Sequence, residues 1–187
     1  MSLKLAVAAA LVAGTLAIFS QTATQQFVSY DDEQYVSTNP IVQSGITLSS
    51  LKWAMTTFHG SNWQPMTWLS HMADCWIYGL NPAGHHMTSV AIHAANVLLL
   101  FLLFCGLTGC LWESAFVAAF FSLHPLHVES VAWIAERKDV LSTFWGLISL
   151  LAYVGFARRR EMKLYVLAIV SFAFPSCRSR CSSRSRS

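Results

Sequence analysis

The run HMTSVAIHAANVLLLFLLFCGL, His86 to Leu107, restricts the fold of this chain more than any motif in it. A helix of about 20 apolar residues spans the hydrocarbon layer of a bilayer. Inside that layer the backbone has to satisfy its own hydrogen bonds, which a helix does. Further apolar runs cover Leu5–Phe19 (after Lys4), Trp112–Leu126, Val140–Phe156 and Leu164–Phe174. Composition agrees: apolar residues are 55% and charged residues 11% of the chain, with mean hydropathy +0.48. Soluble proteins carry about 25% charged residues. The expected fold is therefore all-α, a polytopic transmembrane helical bundle.

The first run, residues 1–20, is short for a span, and a signal peptide competes with a retained helix. No small-x-small cleavage site follows it, which favours the helix. Residues 21–84 form a polar, Trp-rich segment with turn signals at Asn39–Pro40 and Asn81–Pro82. Trp, Met and Leu recur there three to four residues apart. That spacing predicts short amphipathic helices at a membrane interface. Spans two to five then occupy 85–174, with Pro125 breaking or kinking the third and a loop over 123–139. Residues 175–187 are a Ser/Arg-rich tail that reads as a truncated or frame-shifted end, ahead of a disordered cytoplasmic tail.

The net charge of +3 is set by that tail: removing Arg178, Arg180, Arg184 and Arg186 leaves −1. No general basic surface points to nucleic acid. Cys75, Cys105, Cys110, Cys177 and Cys181 show neither zinc-site spacing nor an even disulfide complement. Arg158, Arg159, Arg160 and Lys163 should remain cytoplasmic. Counting back through the spans places 21–84 and 123–139 together on the opposite face, with Lys4 inside.

Two acidic clusters thereby share one face. The first is Asp31, Asp32 and Glu33; the second, in HPLHVESVAWIAERKDVLS, comprises Glu129, Glu136 and Asp139 with Arg137 and Lys138. Were 128–139 one helix, Glu129 and Glu136 would share a face, and Glu136 would neighbour Asp139. Carboxylates beside cations at a membrane boundary can hold a phosphate while one of them accepts a proton. An ordinary charged loop is the competing reading. His124 and His127 with Glu129 supply ligand types suited to zinc, although Pro125 spoils a simple helical presentation. His86, His93 and Asn96 give the second span a polar face, with His93 expected in packing and His86 near the external boundary.

The strings YDDEQYVSTNPIVQSGIT, TTFHGSNWQPMTWLSHMADCWIYGLNPAGHHMTSVAIHAANVLLL and AFFSLHPLHVESVAWIAERKDVLSTFWGLISLLAY together resemble the N-terminal membrane region of transmembrane and tetratricopeptide-repeat proteins. These are similar to protein O-mannosyltransferases of the GT-C class. The resemblance implies a GT-C-like bundle, incomplete here, that moves a mannose-like sugar from a polyprenyl or dolichyl phosphate to a protein Ser or Thr hydroxyl. It implies Asp32 as the catalytic carboxylate, tuned by Asp31 and Glu33, with Asp139 as the second-loop acid. Arg137, Lys138 and His86 would engage the donor phosphate, with Glu129, Glu136, His124 and His127 in support. A divalent cation is an optional cofactor. Gln64 stands where the family commonly has His. The alternative is a non-catalytic membrane anchor or scaffold of a tetratricopeptide-repeat interaction protein. A transporter would need charges lining a continuous path. The short N-terminus leading straight into a span points to a bacterial inner membrane ahead of the endoplasmic reticulum.

Overall fold

The computed structural model describes residues 2–58, 62–173 and 178–179. Cys177, Cys181 and most of the Ser/Arg-rich tail lie outside the described residues. Helix α1 covers Leu3–Phe19 and continues as a tighter turn over Ser20–Thr24. Three short helices follow: α2 (Pro40–Gln43), α3 (Leu48–Thr56) and α4 (Pro65–Tyr78). Then come α5 (Pro82–Thr108), α6 (Leu111–Leu123), α7 (Leu126–Ala132), α8 (Arg137–Arg159) and α9 (Met162–Ala173). Among the described residues the fold is all-α apart from one two-residue antiparallel pairing, Asn62–Trp63 with Arg178–Ser179.

Local chemistry explains the helix ends. Pro82 opens α5 at the position where its missing N–H costs nothing, and the Asn81 side chain caps the helix by accepting from Ala83 N at 3.1 Å. Gly109, at φ 73°, ends α5 in the left-handed conformation. With 27 residues, α5 reaches about 40 Å at 1.5 Å per residue, more than a bilayer core requires. Among the described residues, three helical stretches are long and apolar enough to cross: Leu3–Thr24, Pro82–Thr108 and Ile134–Arg159. The pair α6 and α7, bent by 63° at the expected Pro125 break, makes a fourth if it is one broken span. Helix α9 is a shorter apolar helix.

Side-chain contacts fix the relative directions. Ala8 of α1 packs with Val97 and Phe101 of α5 and Ala118 of α6. At the other end of α1, Phe19 meets Val90, Val131 and Val140. Helix α1 thus runs antiparallel to α5. Asn96 Nδ2 donates to Val140 O at 2.9 Å, and the Arg158 guanidinium donates to Gly106 O, so α5 and α8 run parallel. Lys4, the α5–α6 turn and Arg158–Arg160 consequently share one end of the bundle. The segment 25–81 and the α7–α8 junction share the other.

The segment between α1 and α5 has its own core. Tyr35, Val36, Val42, Ala54, Trp68, Met72 and Cys75 bury together with Ile134 and Ala135. The three- to four-residue spacing in α4 therefore serves a packed cap over the bundle end, while Trp76 and Ile77 remain exposed at 74% and 60%.

One expectation is corrected. Residues 128–139 are not a single helix: α7 stops at Ala132, Trp133 is extended (ψ 120°), and one tight turn over Ile134–Glu136 precedes α8. Glu129 and Glu136 lie on different elements, so the shared face does not form.

These helix directions give a topology test. Single cysteines at Glu33 and Glu129, both exposed, should react with an impermeant maleimide from the same side of a sealed vesicle. A cysteine at Arg160 should react only from the other. Opposite sidedness of 33 and 129 would overturn the arrangement.

Candidate functional site

The break at Trp133 leaves backbone N–H groups without helical partners, and a carboxylate from far away in sequence takes one. Asp32 is fully buried; its Oδ1 accepts from Ala135 N and its Oδ2 from Val28 N, each at 2.9 Å. An anion at the start of a helical turn is favoured by the unsatisfied N–H groups there. The first acidic cluster and the later Glu-Arg-Lys-Asp segment are therefore joined directly.

Two residues beyond Ala135, Arg137 turns into the interior and is fully buried. Its Nη1 meets Asp74 Oδ2 at 2.5 Å and Ser70 Oγ at 3.3 Å. Its Nε donates to Ser89 Oγ at 3.1 Å and its Nη2 to His85 O at 2.6 Å. The guanidinium expected to engage a donor phosphate spends every nitrogen on the protein itself. Asp74 is held in return: Thr88 Oγ1 donates to its Oδ1 at 2.8 Å, and His85 Nδ1 lies 3.5 Å from its Oδ2. His85 and His86 are buried next to this network.

Sequence reasoning missed Asp74, and with it Ser70, His71, His85 and Ser89. A signal existed. Asp74 is the only acid between Glu33 and Glu113, in a stretch of Trp, Met and Leu. A lone carboxylate there needs a buried cation. His71, one helical turn from Asp74, is fully buried, and neither ring nitrogen has a hydrogen-bond partner. Burial first, then the nearby Arg137 charge, hold its pKa well below the usual histidine range. Burial and the Asp74 charge push the Cys75 thiol up to about 11, so it is no nucleophile at neutral pH.

Ligand atoms of His71, Asp74 and His85 lie within 4.8 Å of one another, the metal-capable trio among the described residues. They do not fit a metal in this geometry. The Asp74 oxygen that a cation would use already holds Arg137, and two cations would repel across a few ångströms. At the candidate zinc string, His124 Nδ1 accepts from Leu126 N at 3.3 Å, and the His124 and His127 ring centres are 6.1 Å apart.

The remaining site residues divide into two groups. Asp31 is half-buried and Glu33 exposed. Near them, Lys138 Nζ pairs with Glu136 Oε1 at 2.9 Å, and Lys138, Asp31 and Glu136 all act electrostatically on Tyr35. Burial raises the Tyr35 pKa, and its hydroxyl accepts from Gln64 Nε2 at 2.6 Å. The side chain in place of the family's His is thus a buried hydrogen-bond partner. Asp139 faces elsewhere: it accepts from Ser130 Oγ at 3.2 Å and lines a cavity with His93 and His127. Asp32 is not in that wall.

The chain's sequence is similar to those of known proteins. The chain is 31% identical over 146 residues to Protein O-mannosyl-transferase TMTC2 of Mus musculus, covering 74% of this chain and 17% of the relative. To Protein O-mannosyl-transferase TMTC2 of Homo sapiens it is 33% identical over 147 residues, 74% of this chain and 17% of the relative. To Protein O-mannosyl-transferase Tmtc1 of Drosophila melanogaster it is 29% identical over 161 residues, 82% of this chain and 18% of the relative. The chain spans less than a fifth of the length of these relatives. No family model matches, and no solved structure matches. The apolar helices fit a multi-pass membrane protein. The relatives come from animals, so the bacterial inner membrane expected from the short N-terminus finds no support.

Two stability tests follow from the buried network. Asp74→Asn should cost about 3–5 kcal/mol by stranding Arg137, read as a lower thermal midpoint in detergent micelles. Replacing both partners together (Asp74→Leu with Arg137→Met) should recover part of that loss. Separately, the unfolded chain protonates His71 near its ordinary 6.5 while the folded chain resists. Stability should therefore fall as pH drops below about 6.5, by up to about 1.4 kcal/mol per pH unit for this one proton. His71→Gln should flatten that slope; an unchanged slope would refute the assignment.

Proposed function

Because this chain belongs to the family of transmembrane and tetratricopeptide-repeat protein O-mannosyl-transferases, we propose that it forms the catalytic membrane end of a glycosyltransferase. The reaction moves a mannose-like sugar from a polyprenyl or dolichyl phosphate to a protein Ser or Thr hydroxyl, at the endoplasmic reticulum of a eukaryotic cell. The observation carrying this reading is the 2.9 Å bond from Ala135 N to Asp32 Oδ1. It brings the first acidic cluster to the Glu-Arg-Lys-Asp segment at one end of the bundle, where a membrane-borne donor arrives.

Roles follow from exposure. Asp32 holds the loop against the α7–α8 junction and keeps one lone pair on each oxygen beyond its two backbone bonds. Asp31, half-buried beside it, is the carboxylate that an acceptor hydroxyl can approach. The Asp31–Asp32 pair takes the proton as the hydroxyl attacks the sugar carbon and the bond to the phosphate oxygen breaks. Lys138 offers the partly exposed cation for the departing phosphate. Arg137, through Asp74, fixes the start of α8 and hence the placement of Lys138 and Asp139. Asp139 and Glu33 complete the acidic rim, with His86 behind it.

The complete burial of Asp32 favours a second reading, a membrane anchor in which this carboxylate is purely structural. Asparagine variants in the full-length protein separate the two. For the enzyme, Asp31→Asn should lower sugar transfer to a Ser/Thr peptide by about 10²- to 10⁴-fold with an unchanged thermal midpoint. Asp32→Asn should lower both transfer and stability. Full transfer by both variants would end the catalytic assignment.

A further inference from the structure

We propose that the groove of about 330 Å3 between α5, α8 and α9 binds an acidic phospholipid, its phosphate on Arg158 and Arg159 and an acyl chain in the groove. The site lies at the Lys4 end of the bundle, opposite Asp32. It therefore takes no part in the sugar transfer and stands independently of that reading. Leu102 and Leu103 of α5, Leu151 and Val154 of α8 and Leu164 of α9 form an apolar wall. Arg158 and Arg159, the last two residues of α8, are its polar end.

The hollow has a local cause. Helices α5 and α8 run side by side here, and each brings a glycine, Gly106 and Gly155, to the groove. A Cβ on Gly155 would come within 3.1 Å of Leu164 Cδ1, so this glycine lets α9 approach α8 closely. A Cβ on Gly106 would meet Arg158 Nη1 at 4.0 Å and nothing nearer, so the missing side chain leaves space under that guanidinium. Depth decides what fills it. The 23 residues of α8 rise about 35 Å, which puts Arg158 at the edge of a hydrocarbon layer about 30 Å thick. Leu151, seven residues earlier, lies about 10 Å deeper. At that depth an apolar hollow stays dry, and acyl chains are what surrounds it.

Charge selects the headgroup. Orientation by positive charge explains why cations collect at this end, but it does not put two of them in the wall of an apolar groove. Arg158 donates from Nη2 to Gly106 O, a carbonyl in the last turn of α5, and this holds its head over the groove. Among the described residues no other hydrogen bond engages that guanidinium, and none of Arg158, Arg159, Arg160 and Lys163 pairs with a carboxylate. Arg137 is the opposite case, with every nitrogen bonded to the protein. Residues 158–163 carry four cations against the single carboxylate of Glu161. Free guanidinium forks match phosphate oxygens, and basic pockets between spans on the cytoplasmic side suit acidic lipids. A choline ammonium would be repelled by the same arginines.

The test titrates the full-length protein in nonionic detergent, at about 0.15 M salt, and reads bound lipid by native mass spectrometry. The probes are phosphatidylserine, phosphatidylcholine and glycerophosphoserine, the acidic headgroup without acyl chains. Phosphatidylserine should bind about tenfold more tightly than either of the others. Arg159→Gln should weaken it about tenfold. Lys163→Gln removes the same charge outside the groove wall and should weaken it less than about twofold. Gly106→Leu should abolish the preference for phosphatidylserine with every charge in place. Leu102→Trp, at an exposed wall position, repeats that test if the first variant lowers the thermal midpoint. Equal losses from Arg159→Gln and Lys163→Gln would overturn the site in favour of diffuse surface attraction. Equal binding of the two phospholipids, or an unchanged preference in the filled-groove variants, would also overturn it. Glycerophosphoserine binding as tightly as phosphatidylserine would replace the lipid with a soluble anion and overturn the acyl-chain groove.

Discussion

The Arg137–Asp74 ion pair is the constraint on which the rest of this end of the molecule depends. A guanidinium fully removed from water is tolerated only when its charge and its N–H groups are matched. Here one carboxylate, two hydroxyls and a backbone carbonyl do that. They come from α4 (Ser70, Asp74) and α5 (His85, Ser89), so a single side chain from α8 ties the cap to the bundle. It adds a polar tie to the apolar contacts that seat Trp68 and Met72 against Ile134 and Ala135, just before α8. Such a pair contributes specificity of arrangement more than net stability, because its desolvation offsets most of its attraction.

Given that anchor, the broken segment between α7 and α8 becomes useful. The extended Trp133 frees the Ala135 N–H, Asp32 accepts it, and the loop carrying Asp31 and Glu33 is drawn to the junction. The start of α8 then deals its side chains in three directions. Arg137 goes inward, Lys138 towards the acidic loop, and Asp139 to the polar cavity. A one-residue slip at this break would exchange those destinations, and so the site depends on backbone irregularity as much as on charge.

The apolar runs were legible because bilayer thickness and backbone hydrogen bonding leave few alternatives. The spans at Leu3–Thr24, Pro82–Thr108 and Ile134–Arg159 lie where hydropathy puts them, and the Pro125 break is a steric consequence visible in one residue. The cap was only half legible: α4 has helical spacing, but spacing cannot tell a membrane interface from a protein core. Which of Trp68 and Trp76 is buried depended on Tyr35, Val42 and Ile134, all remote in sequence. Asp74 was passed over because it belongs to no motif, although its isolation among apolar residues was itself the clue.

By itself, then, the amino-acid order determined a helical membrane protein, the approximate spans, the gathering of the acidic segments at one end, and the family resemblance. These depend on local composition and on solvent-like averages over many residues. Tertiary structure alone decided that Arg137 is spent on Asp74, that Asp32 is a buried clasp on Ala135, and that Asp139 opens into a different cavity. Those outcomes turn on pairings across dozens of residues and on the one irregular turn at Trp133. No periodicity encodes such pairings, because each is chosen by which buried charge or N–H would otherwise go unmatched.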